Sequence, residues 1–520
     1  MHIGPCRGTY SKLKGPRDIY LDRARECAAL TIPSLLMEEG TTAHTRIQTP
    51  YQSVGARGVN NLSSKLMMAL FPPNTPFFKL SVDDYTLADL TGGDDTARAE
   101  VEKALNTIER SVITELEAEG MRNALHEAVR HLIVTGNYLI ALPKEGNLKG
   151  FGLDRYVVSR DPQGNLKQVI IHEQFSPDTL DPDLLREVGF TNMDGEVDVG
   201  DSKQIDVFTK YYIDQEEDGS KRRWRTYQEI NDMIVPGTEG NYPIETPPIM
   251  ALRWCSITGE NYGRSHVEEL FGDLMSLEGL HKAVLDGSAA SARLLVMVNP
   301  NGVTKKDQVA RADNGAVITG KAADVEMLQV NKASDLQVAS QTAIRIEQRL
   351  AQAFVMESAV IRDAERVTAE EIRTLAAMLE NALSGIFSLL SNDLQSPLVN
   401  RLMARMQDQK KLPRLPEGVV KPAIVTGLEA LGRGHDLTKY GQLLQMVAPL
   451  GPEAMSMINI GDLIQRTATS LGIDSDGLIK SQEQIQAEQE QAAQMQMAQM
   501  VAQEGMGMIR DQNNQAQPSE

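Results

Sequence analysis

The sequence predicts an α+β fold that is mainly helical, and three features of its 520 residues support this prediction. Aromatic residues make up 5% of the chain, which favours helices packed by aliphatic side chains over an all-β fold. Apolar residues recur at helical spacing over long stretches on both sides of residues 137–254. Within residues 137–254 the pattern changes to short alternating runs, which are typical of an antiparallel sheet. At roughly 150 residues per domain, the chain has room for about three or four domains.

The first 135 residues contain four segments with helical spacing. Pro33 breaks the first segment, and Pro72 with Pro73 stops the second, because proline has no N–H to donate within a helix. Gly120 lies between the last two segments and suits a helix C-cap. The predicted helical segments are residues 19–37, 53–70, 96–119 and 121–135.

The interval 137–254 contains the predicted strands and a strongly acidic stretch. Residues 181–218 hold 12 acidic and 3 basic side chains, and the basic cluster 221–225 follows at once. We interpret this arrangement as a hairpin that pairs opposite charges across its strands, in preference to an anion-binding site. The predicted strands are residues 138–142, 156–159, 167–172, 206–213 and 223–230.

Two helices that enclose a small unit are predicted next. The first, residues 264–292, has one apolar stripe. The second, residues 334–355, has a narrow apolar seam of the kind that a helix needs to pack against neighbouring helices. Between them, residues 294–298 and 316–319 are predicted strands around a short helix at residues 304–312. The seam consists of Leu336, Ala339, Ala343, Ile346, Leu350 and Ala353.

The rest of the chain is predicted to be helical up to about residue 471. Thr368 and Glu371 have the spacing of a capping box, in which each side chain accepts from the other's backbone N–H, and they open a long helix. The final 40 residues contain 12 Gln and 5 Met, which fits either a solvated helix over residues 482–503 or a disordered tail. Shorter helical pieces before that tail are separated by Pro397, Pro413, Pro416 and Pro422.

Charge and cysteine content exclude several classes of protein. With 71 acidic and 52 basic residues the net charge is −19, which argues against tight coating of nucleic acid but not against DNA passing by. Cys6, Cys27 and Cys255 are far apart, so neither a disulfide framework nor a zinc site is indicated, and a reducing compartment fits best. No apolar run has the length of a membrane span, and the N-terminus has no apolar leader, so we expect neither membrane insertion nor secretion.

Two motifs come close to a catalytic or metal-binding pattern without completing it. Residues 315–321 match the first seven positions of a phosphate-binding loop, but Ala322 stands where Ser or Thr would ligate magnesium. The context also disagrees, because residues 316–319 are a predicted strand. His126 and His131 are five residues apart, which places them about 140° apart around a helix, so we do not expect them to share a metal ion.

An acidic group near the capping box is explained without catalysis. Carboxylates gather at helix N-termini because they interact favourably with the helix dipole, and we prefer that interpretation to metal-assisted phosphoryl chemistry. We therefore expect no catalytic residue, no metal and no cofactor. The acidic group is Asp363, Glu365, Glu370 and Glu371.

Several longer blocks of sequence resemble one family when they are taken together. The block at residues 49–62, TPYQSVGARGVNNL, continues into Lys65-Leu66-Met67 and then into FPPNTPFF at residues 71–78. YGRS at residues 262–265 and RDAERVTAEE at residues 362–371 agree with it. As a set, these blocks closely resemble the portal (head-to-tail connector) proteins of short-tailed, podovirus-type bacteriophages. The resemblance spans residues 15–475 and leaves the Gln/Met-rich tail least anchored.

The resemblance implies the phage portal fold, assembled as a ring, with an α/β wing, a two-helix stem, a small α/β clip, a long helix and a helical crown. The parts it implies are the wing at residues 1–262, with its β-rich portion at 137–254, the first stem helix at 263–292, the clip at 293–333, the second stem helix at 334–355, the channel loop at 356–367, the long helix at 368–395, the crown at 396–475 and the tail at 476–520.

The resemblance also implies a function in the virion. About twelve copies would form a ring at one capsid vertex, around a channel for DNA packaging and ejection. The implied partners are further copies of the chain, the terminase large subunit, the major capsid and scaffolding proteins, a tail adaptor protein, internal core proteins and double-stranded DNA, with no membrane. ATP hydrolysis would belong to the terminase, and the ring would assemble in the bacterial host cytoplasm.

Candidate functional residues follow from these implied parts. For each candidate, a solvated face or a salt bridge between subunits is an equally good interpretation. The channel-facing candidates form a surface of mixed charge: Arg345, Glu347, Arg349, Arg362, Asp363, Glu365 and Arg366. The clip candidates for terminase docking are Lys305, Lys306, Arg311 and Lys321.

Two other hypotheses stay open beside the portal ring. The Gln/Met-rich tail supports an oligomeric virion adaptor or scaffold protein, which need not enclose a channel of DNA width, roughly 20 Å. An enzyme that uses nucleotide at residues 315–321 is the third hypothesis, which the incomplete motif disfavours.

Overall fold

The computed structural model describes most of the chain up to residue 424. The described residues form part of two compact units, Met1–Gly427 and Leu428–Glu520, and every element below belongs to the first. The predicted capping box and the tail lie outside the described residues, as does the predicted channel loop from residue 357 onward. The described residues are 5–38, 40–41, 45–72, 77–82, 84–92, 95–190, 197, 204–215, 222–291, 295–313, 315–328, 333–356, 379, 382–383, 385–414, 420–424, 445–446 and 449.

Helices and strands alternate along the first unit. The described α-helices are α1 Cys6–Ala29, α2 Val54–Leu70, α3 Asp84–Thr91, α4 Asp95–Ala118, α5 Met121–Thr135, α6 Pro182–Glu187, α7 His266–Glu269, α8 Phe271–Ser291, α9 Lys306–Arg311, α10 Ala333–Ala353, α11 Ile386–Leu390 and α12 Ser396–Asp408. The described strands are β1 Phe78–Val82, β2 Asn137–Ala141, β3 Lys149–Phe151, β4 Tyr156–Arg160, β5 Leu166–Phe175, β6 Ile205–Gln215, β7 Arg222–Ile230, β8 Met233–Ile234, β9 Gly240–Pro243, β10 Ile249–Arg253, β11 Leu295–Val298, β12 Val325–Leu328 and β13 Val420–Ile424. The mixed helix and strand composition expected from the sequence is confirmed. No helix within these residues has the length and apolar character needed to span a bilayer.

The N-terminal helices follow the predicted pattern with one correction. α2, α4 and α5 each begin and end within one residue of the predicted bounds. α1 instead covers Cys6–Ala29 and accommodates Pro16 in its interior. Cys6 and Tyr10 are buried in an apolar cluster with side chains from β4, β5, β6 and β7. Tertiary packing therefore stabilises the first turns of α1, which the local spacing did not predict.

The predicted antiparallel region is confirmed as a sheet with the strand order β4-β5-β6-β7-β8, in which β9 also pairs with β7. The hairpin of β6 and β7 carries the opposite charges that the sequence places there. Asp214 stands opposite Arg223 in the register, and the Arg225 guanidinium lies 3.3 Å from the Asp214 carboxylate. The interpretation of this region as a charge-paired hairpin is therefore confirmed for its described strands.

A second sheet, ordered β10-β2-β3, packs against α5, a largely buried helix. α5 buries its apolar side chains together with His131 and Thr135, and every residue of β2 is buried. Gly136 joins the two elements with a φ of +74°, and its carbonyl accepts a hydrogen bond of 2.9 Å from the Trp254 N–H. This left-handed residue lets the chain turn from helix to strand within the core.

The chain returns to the N-terminal half after the second helical region. β13 pairs with β1, with Phe78 opposite Ile424. In α12, the buried Arg401 donates from Nε to the Leu142 carbonyl at 2.8 Å, and Arg405 forms an ion pair with Glu119. Residues 396–408 and 420–424 thus contact the N-terminal half of the chain, and the division into a wing and a crown at residue 396 stays a prediction.

The long helix predicted over residues 368–395 is also corrected where it is described. Gly385 has a φ of +92° and interrupts it, and α11 begins at the next residue. Pro397 does not end a helix as predicted. It lies in the first turn of α12, where its missing N–H is not needed, and a π-helical turn at Ser391–Gln395 leads into it.

Two predictions around the small unit are wrong in detail. The helix predicted over residues 264–292 is two helices, α7 and α8, which Leu270 separates. The strand predicted at residues 316–319 is irregular, and its Val317 side chain is 101% exposed. β11 pairs with β12 instead, with Val298 opposite Val325. A β-rich run without a pairing partner does not form a strand.

Gly136→Ala is expected to lower the free energy of unfolding more than Gly120→Ala. Both glycines have positive φ, +74° and +64°, so each substitution costs about 1–2 kcal/mol for the left-handed backbone. A Cβ at position 136 would also lie 2.6 Å from the backbone carbon of Arg264, whereas a Cβ at position 120 would meet nothing within 4 Å. Urea unfolding of both variants measures the difference, and equal losses would contradict the proposed contact.

Candidate functional site

The two helices predicted as a stem form an antiparallel hairpin. Gly287 near the end of α8 lies against Leu336 at the start of α10, and a Cβ on this glycine would be 2.7 Å from the Leu336 side chain. The predicted seam on α10 is confirmed, since each of its members is buried or half-buried. α8 contributes the buried residues Leu274 and Leu277. We call α8 and α10 the stem hairpin.

Charged side chains connect the two helices along the same hairpin. The Arg349 guanidinium lies 2.7 Å from the Asp273 carboxylate, and Arg349 is 62% exposed. Glu347 lies 3.3 Å from the His281 ring. Exposed ion pairs of this kind contribute roughly 0–1 kcal/mol, so they align the helices more than they stabilise them. Of the described channel-facing candidates, Glu347 and Arg349 thus contact α8, while Arg345 is exposed.

The end of α10 has an unusual backbone conformation. Val355 has a φ of +54°, which is rare for any residue with a Cβ and disfavoured most for a β-branched one. The Met356 N–H donates to the Ala351 carbonyl at 2.7 Å and the Val355 N–H to the Gln352 carbonyl at 2.9 Å. These two bonds form a Schellman ending, which usually has glycine at the left-handed position. A valine there costs about 1–3 kcal/mol that the surroundings must offset.

Side chains from α2 hold the carbonyl groups at this end. Lys65 Nζ donates to the Val355 carbonyl at 2.6 Å. Asn61 Nδ2 lies 3.1 Å from both the Phe354 and the Val355 carbonyl. Lys65 is buried, and burial lowers the pKa of its ammonium group. A cation at a helix C-terminus interacts favourably with the helix dipole and with the carbonyls that lack partners in the helix.

His266 adds a third donor from the other side of α10. Its Nε2 lies 3.1 Å from the Ala353 carbonyl, so this nitrogen carries the proton. Its Nδ1 is 3.8 Å from the Glu269 carboxylate, and the proximity of His266 lowers the pKa of the Glu269 carboxyl. The ring meets Phe354 edge-on at 5.5 Å between centroids. We call Asn61, Lys65, His266, Phe354 and Val355 the stem junction.

Two glycines of α2 allow this close approach. A Cβ on Gly58 would lie 2.5 Å from the Phe354 ring, and a Cβ on Gly55 would lie 2.6 Å from the Leu30 carbonyl oxygen. Gln52 reinforces the second contact, since its Nε2 donates to the same Leu30 carbonyl at 2.6 Å. The glycines at positions 55 and 58 therefore allow two different segments of the chain to approach neighbouring positions on α2 closely.

The start of α2 contacts the other helix of the stem hairpin. The Glu278 carboxylate on α8 accepts hydrogen bonds from the Tyr51 N–H at 2.9 Å and from the Gln52 N–H at 3.1 Å. Carboxylates are favoured at this end of a helix by the dipole and by the free N–H groups. The two residues that precede the N-cap of α2 thus contact α8, and α2 itself contacts the end of α10 further along.

The block at residues 262–265 organises the entry into the stem hairpin. The Arg264 guanidinium lies 2.9 Å from Glu260 and 3.1 Å from Glu268, and its hydrogen bond lowers the pKa of the Glu260 carboxyl. Ser265 Oγ accepts from the Glu268 N–H at 2.9 Å, an N-cap for α7. The Gly263 N–H donates to Asn137 Oδ1 at 2.7 Å, which ties this entry to β2.

The small unit between α8 and α10 places the clip candidates on its surface. Asp324 Oδ2 lies 3.1 Å from Thr304 Oγ1, and the Lys321 N–H donates to that hydroxyl at 2.9 Å. Residues 315–321 follow an irregular segment and precede a single 3₁₀ turn, so the strand–loop–helix context of a phosphate-binding loop is absent from these described residues. All four clip candidates are exposed: Lys305, Lys306, Arg311 and Lys321.

The remaining candidate sites separate or lie outside the described residues. His126 Nε2 is 3.3 Å from Ser63 Oγ, whereas His131 stacks on Tyr138 at 4.7 Å, so the two histidines face different partners. No group of three or more His, Cys, Asp or Glu that could hold a metal ion occurs within the part of the chain that the structure describes. The candidates outside the described residues are Arg362, Asp363, Glu365, Glu370, Glu371 and Arg366.

Sequence reasoning missed the stem junction, although two of its five residues, Asn61 and Lys65, lie in the blocks that carry the resemblance. The block at residues 49–62 and Lys65 served only to support a resemblance. A usable signal was present, since two glycines three residues apart inside an apolar helix indicate a close approach by another element. The partner could not be inferred in this way, because Lys65 and Val355 are 290 residues apart in the chain.

Comparison with known proteins gives a consistent assignment. Residues 4–479 match the family model described as bacteriophage head to tail connecting protein. The portal protein of Escherichia phage T7 is 40% identical over 97% of this chain and 91% of its own length. The portal protein of Enterobacteria phage T3 is 39% identical over 93% and 89%. These matches confirm the resemblance that the sequence blocks indicated.

A solved structure was also compared. A chain from the neck of an empty gene transfer agent particle, computed with C6 symmetry, aligns with 81% of this chain and 90% of its own, with a TM-score of 0.37 and 12% identity.

Gly58→Ala is expected to destabilise the chain by about 1–3 kcal/mol, because the new methyl group would overlap the Phe354 ring. Gly279→Ala on α8 is the matched control. A Cβ there would meet nothing within 4 Å, so this helical alanine should raise the free energy of unfolding by about 0.5–1 kcal/mol. Chemical denaturation of both variants measures the two effects. A stabilising Gly58→Ala would show that Phe354 does not need the space above this glycine.

Proposed function

Because the chain belongs to the family of bacteriophage head to tail connecting proteins, we propose that it acts as the portal of the virion. About twelve copies form a ring at one capsid vertex around a central channel. Double-stranded DNA enters through this channel during packaging and leaves through it during ejection. The ring assembles in the host cytoplasm and stays in the virion.

The observation that carries the ring is the apolar surface of the stem hairpin. In a single chain, each helix buries one seam against the other and leaves apolar side chains on its remaining faces. Such side chains favour burial by a neighbouring molecule when they recur on one element. A neighbouring copy in a head-to-tail ring covers them on both sides of each hairpin. The exposed residues are Met275 at 55%, Leu285 at 54%, Val338 at 63% and Ile344 at 50%.

The channel guides DNA passively and performs no chemistry on it. Every phosphate that a fixed cation neutralises adds salt-dependent affinity, and that affinity opposes sliding. The ion pair of Arg349 with Asp273 reduces the free charge on the stem hairpin. We therefore assign DNA contact to Arg345 on the hairpin and, beyond it, to Arg362 and Arg366 among their acidic neighbours Asp363 and Glu365.

The clip is the docking platform at the far end of the stem hairpin. Lys305, Lys306, Arg311 and Lys321 are exposed around the β11–β12 ribbon, which makes them accessible to acidic surfaces of partners. The terminase large subunit binds there during packaging and supplies the ATP hydrolysis, and a tail adaptor protein replaces it afterwards. The major capsid and scaffolding proteins contact the wing, and internal core proteins contact the ring from inside the capsid.

Val338→Asp is expected to prevent ring assembly, because a buried carboxylate at a subunit interface has no partner. Gln337→Asp, which adds the same charge at an adjacent exposed residue, is the control and should assemble normally. Native mass measurement and electron microscopy of the parent chain should show about twelve copies of the 57.2 kDa subunit around an open channel. A closed assembly without an opening of DNA width, roughly 20 Å, would favour the adaptor or scaffold hypothesis.

Replacing both Arg362 and Arg366 with alanine should change DNA retention while rings still assemble. The physical reason is the loss of two cations that contact phosphates, which weakens the salt-dependent hold on DNA. Arg155→Ala, an exposed arginine of the wing, is the control. The measurement is the DNA content of particles at two salt concentrations, together with ring mass. Loss of ring assembly in the double variant would show that these arginines are structural.

A further inference from the structure

The chain leaves the helical conformation at the end of α10, where Val355 has a positive φ. In a helix that continued, the Phe354 and Val355 carbonyls would accept from the N–H groups of the next turn. In the observed ending both carbonyls instead accept from Asn61 Nδ2 at 3.1 Å, and the Val355 carbonyl also accepts from Lys65 Nζ at 2.6 Å. The donors on α2 therefore compete directly with extension of the helix.

Val355 by itself disfavours the observed ending. A β-branched residue strongly disfavours positive φ, yet Val355 has a φ of +54°. Glycine would adopt the observed conformation without this cost. A strained residue persists only when its surroundings over-determine it, and here the surroundings include a buried ammonium group that would lose its Val355 partner if the helix continued.

The position of these donors is set by the other helix of the stem hairpin. Glu278 on α8 accepts from the Tyr51 and Gln52 N–H groups at the start of α2. Gly58 lets the Phe354 ring pack directly on the α2 backbone. α2 is thus attached to α8 at one place and to the end of α10 at another, so it transmits the geometry of the hairpin to Val355.

We propose that Asn61 and Lys65 are positioning residues that hold Val355 in its left-handed conformation and so set the direction in which the chain leaves α10. The consequence for DNA rests on the proposed portal function, in which the segment after Met356 contributes to the channel. The backbone part of the inference is independent of that function.

The test compares Lys65→Met with the double variant Lys65→Met/Val355→Gly in full-length assembled rings. Electron microscopy of the rings reports the backbone at position 355. The Lys65→Met ring should have a right-handed residue there, and the double variant should regain the left-handed one, because glycine removes the strain that Lys65 offsets. A Lys65→Met ring with an unchanged left-handed Val355 would overturn the proposal.

The yield of DNA-filled particles is the second measurement. Loss of a hydrogen bond to a charged group should lower this yield about tenfold in Lys65→Met, and the double variant should recover to within about threefold of the parent. Recovery by glycine at position 355 separates positioning from simple stabilisation by a buried lysine. Unaltered yield in Lys65→Met, or no recovery in the double variant, would overturn the positioning role.

Two controls keep the outcomes distinct. Lys210→Met removes another buried lysine, one on the wing sheet, and should leave both position 355 and the yield unchanged. Asn61→Ala, a milder change at a half-buried residue, replaces Lys65→Met if that variant fails to fold. It should likewise move position 355 out of the left-handed conformation and lower the yield of DNA-filled particles. If the parent chain supports no DNA filling, the portal function fails, while the images still decide the conformation of Val355.

Discussion

The carbonyl groups at the end of α10 need hydrogen-bond donors, and α2 supplies them. A buried carbonyl without a partner costs about 1–3 kcal/mol, so the end of a buried helix is stable only where donors are provided. Here those donors are the Lys65 and Asn61 side chains, assisted by His266. Since these two side chains belong to α2, they attach the end of the stem hairpin to the N-terminal helices.

The wing in turn fixes α2 through its apolar side. Leu62, Leu66 and Leu70 are fully buried, and α5 packs beside them in the same core. The chain that leaves the hairpin later returns to this core, where Gln395 donates to the Leu70 carbonyl at the end of α2. α2 is therefore held at its start by α8, along its length by α5 and at its end by the segment before α12. This arrangement explains why its sequence combines glycines, apolar residues and one buried lysine.

Sequence reasoning succeeded where the information is local. α5 was predicted with correct ends because its apolar spacing is strong and glycines stand at both boundaries. The seam of α10 was predicted because packing between two helices imposes a regular spacing. The strand predicted at residues 316–319 was wrong because this β-rich segment has no strand to pair with among the described residues. β12, whose sequence is less distinctive, pairs with β11 instead. The stem junction could not be predicted, because its donors and acceptors are brought together only by the complete fold.

The charged side chains are distributed unevenly along the chain, and this distribution matters for the sliding of DNA through a portal. The net charge of −19 is not spread evenly, since residues 181–218 hold 12 acidic and 3 basic side chains on the wing. On the stem hairpin, Arg349 and Glu347 are each matched by a group on α8. A surface whose cations already have acidic partners neutralises few phosphates and so adds little salt-dependent affinity. If the stem hairpin lines the channel as proposed, its ion pair would serve alignment of the two helices and low friction for DNA at the same time.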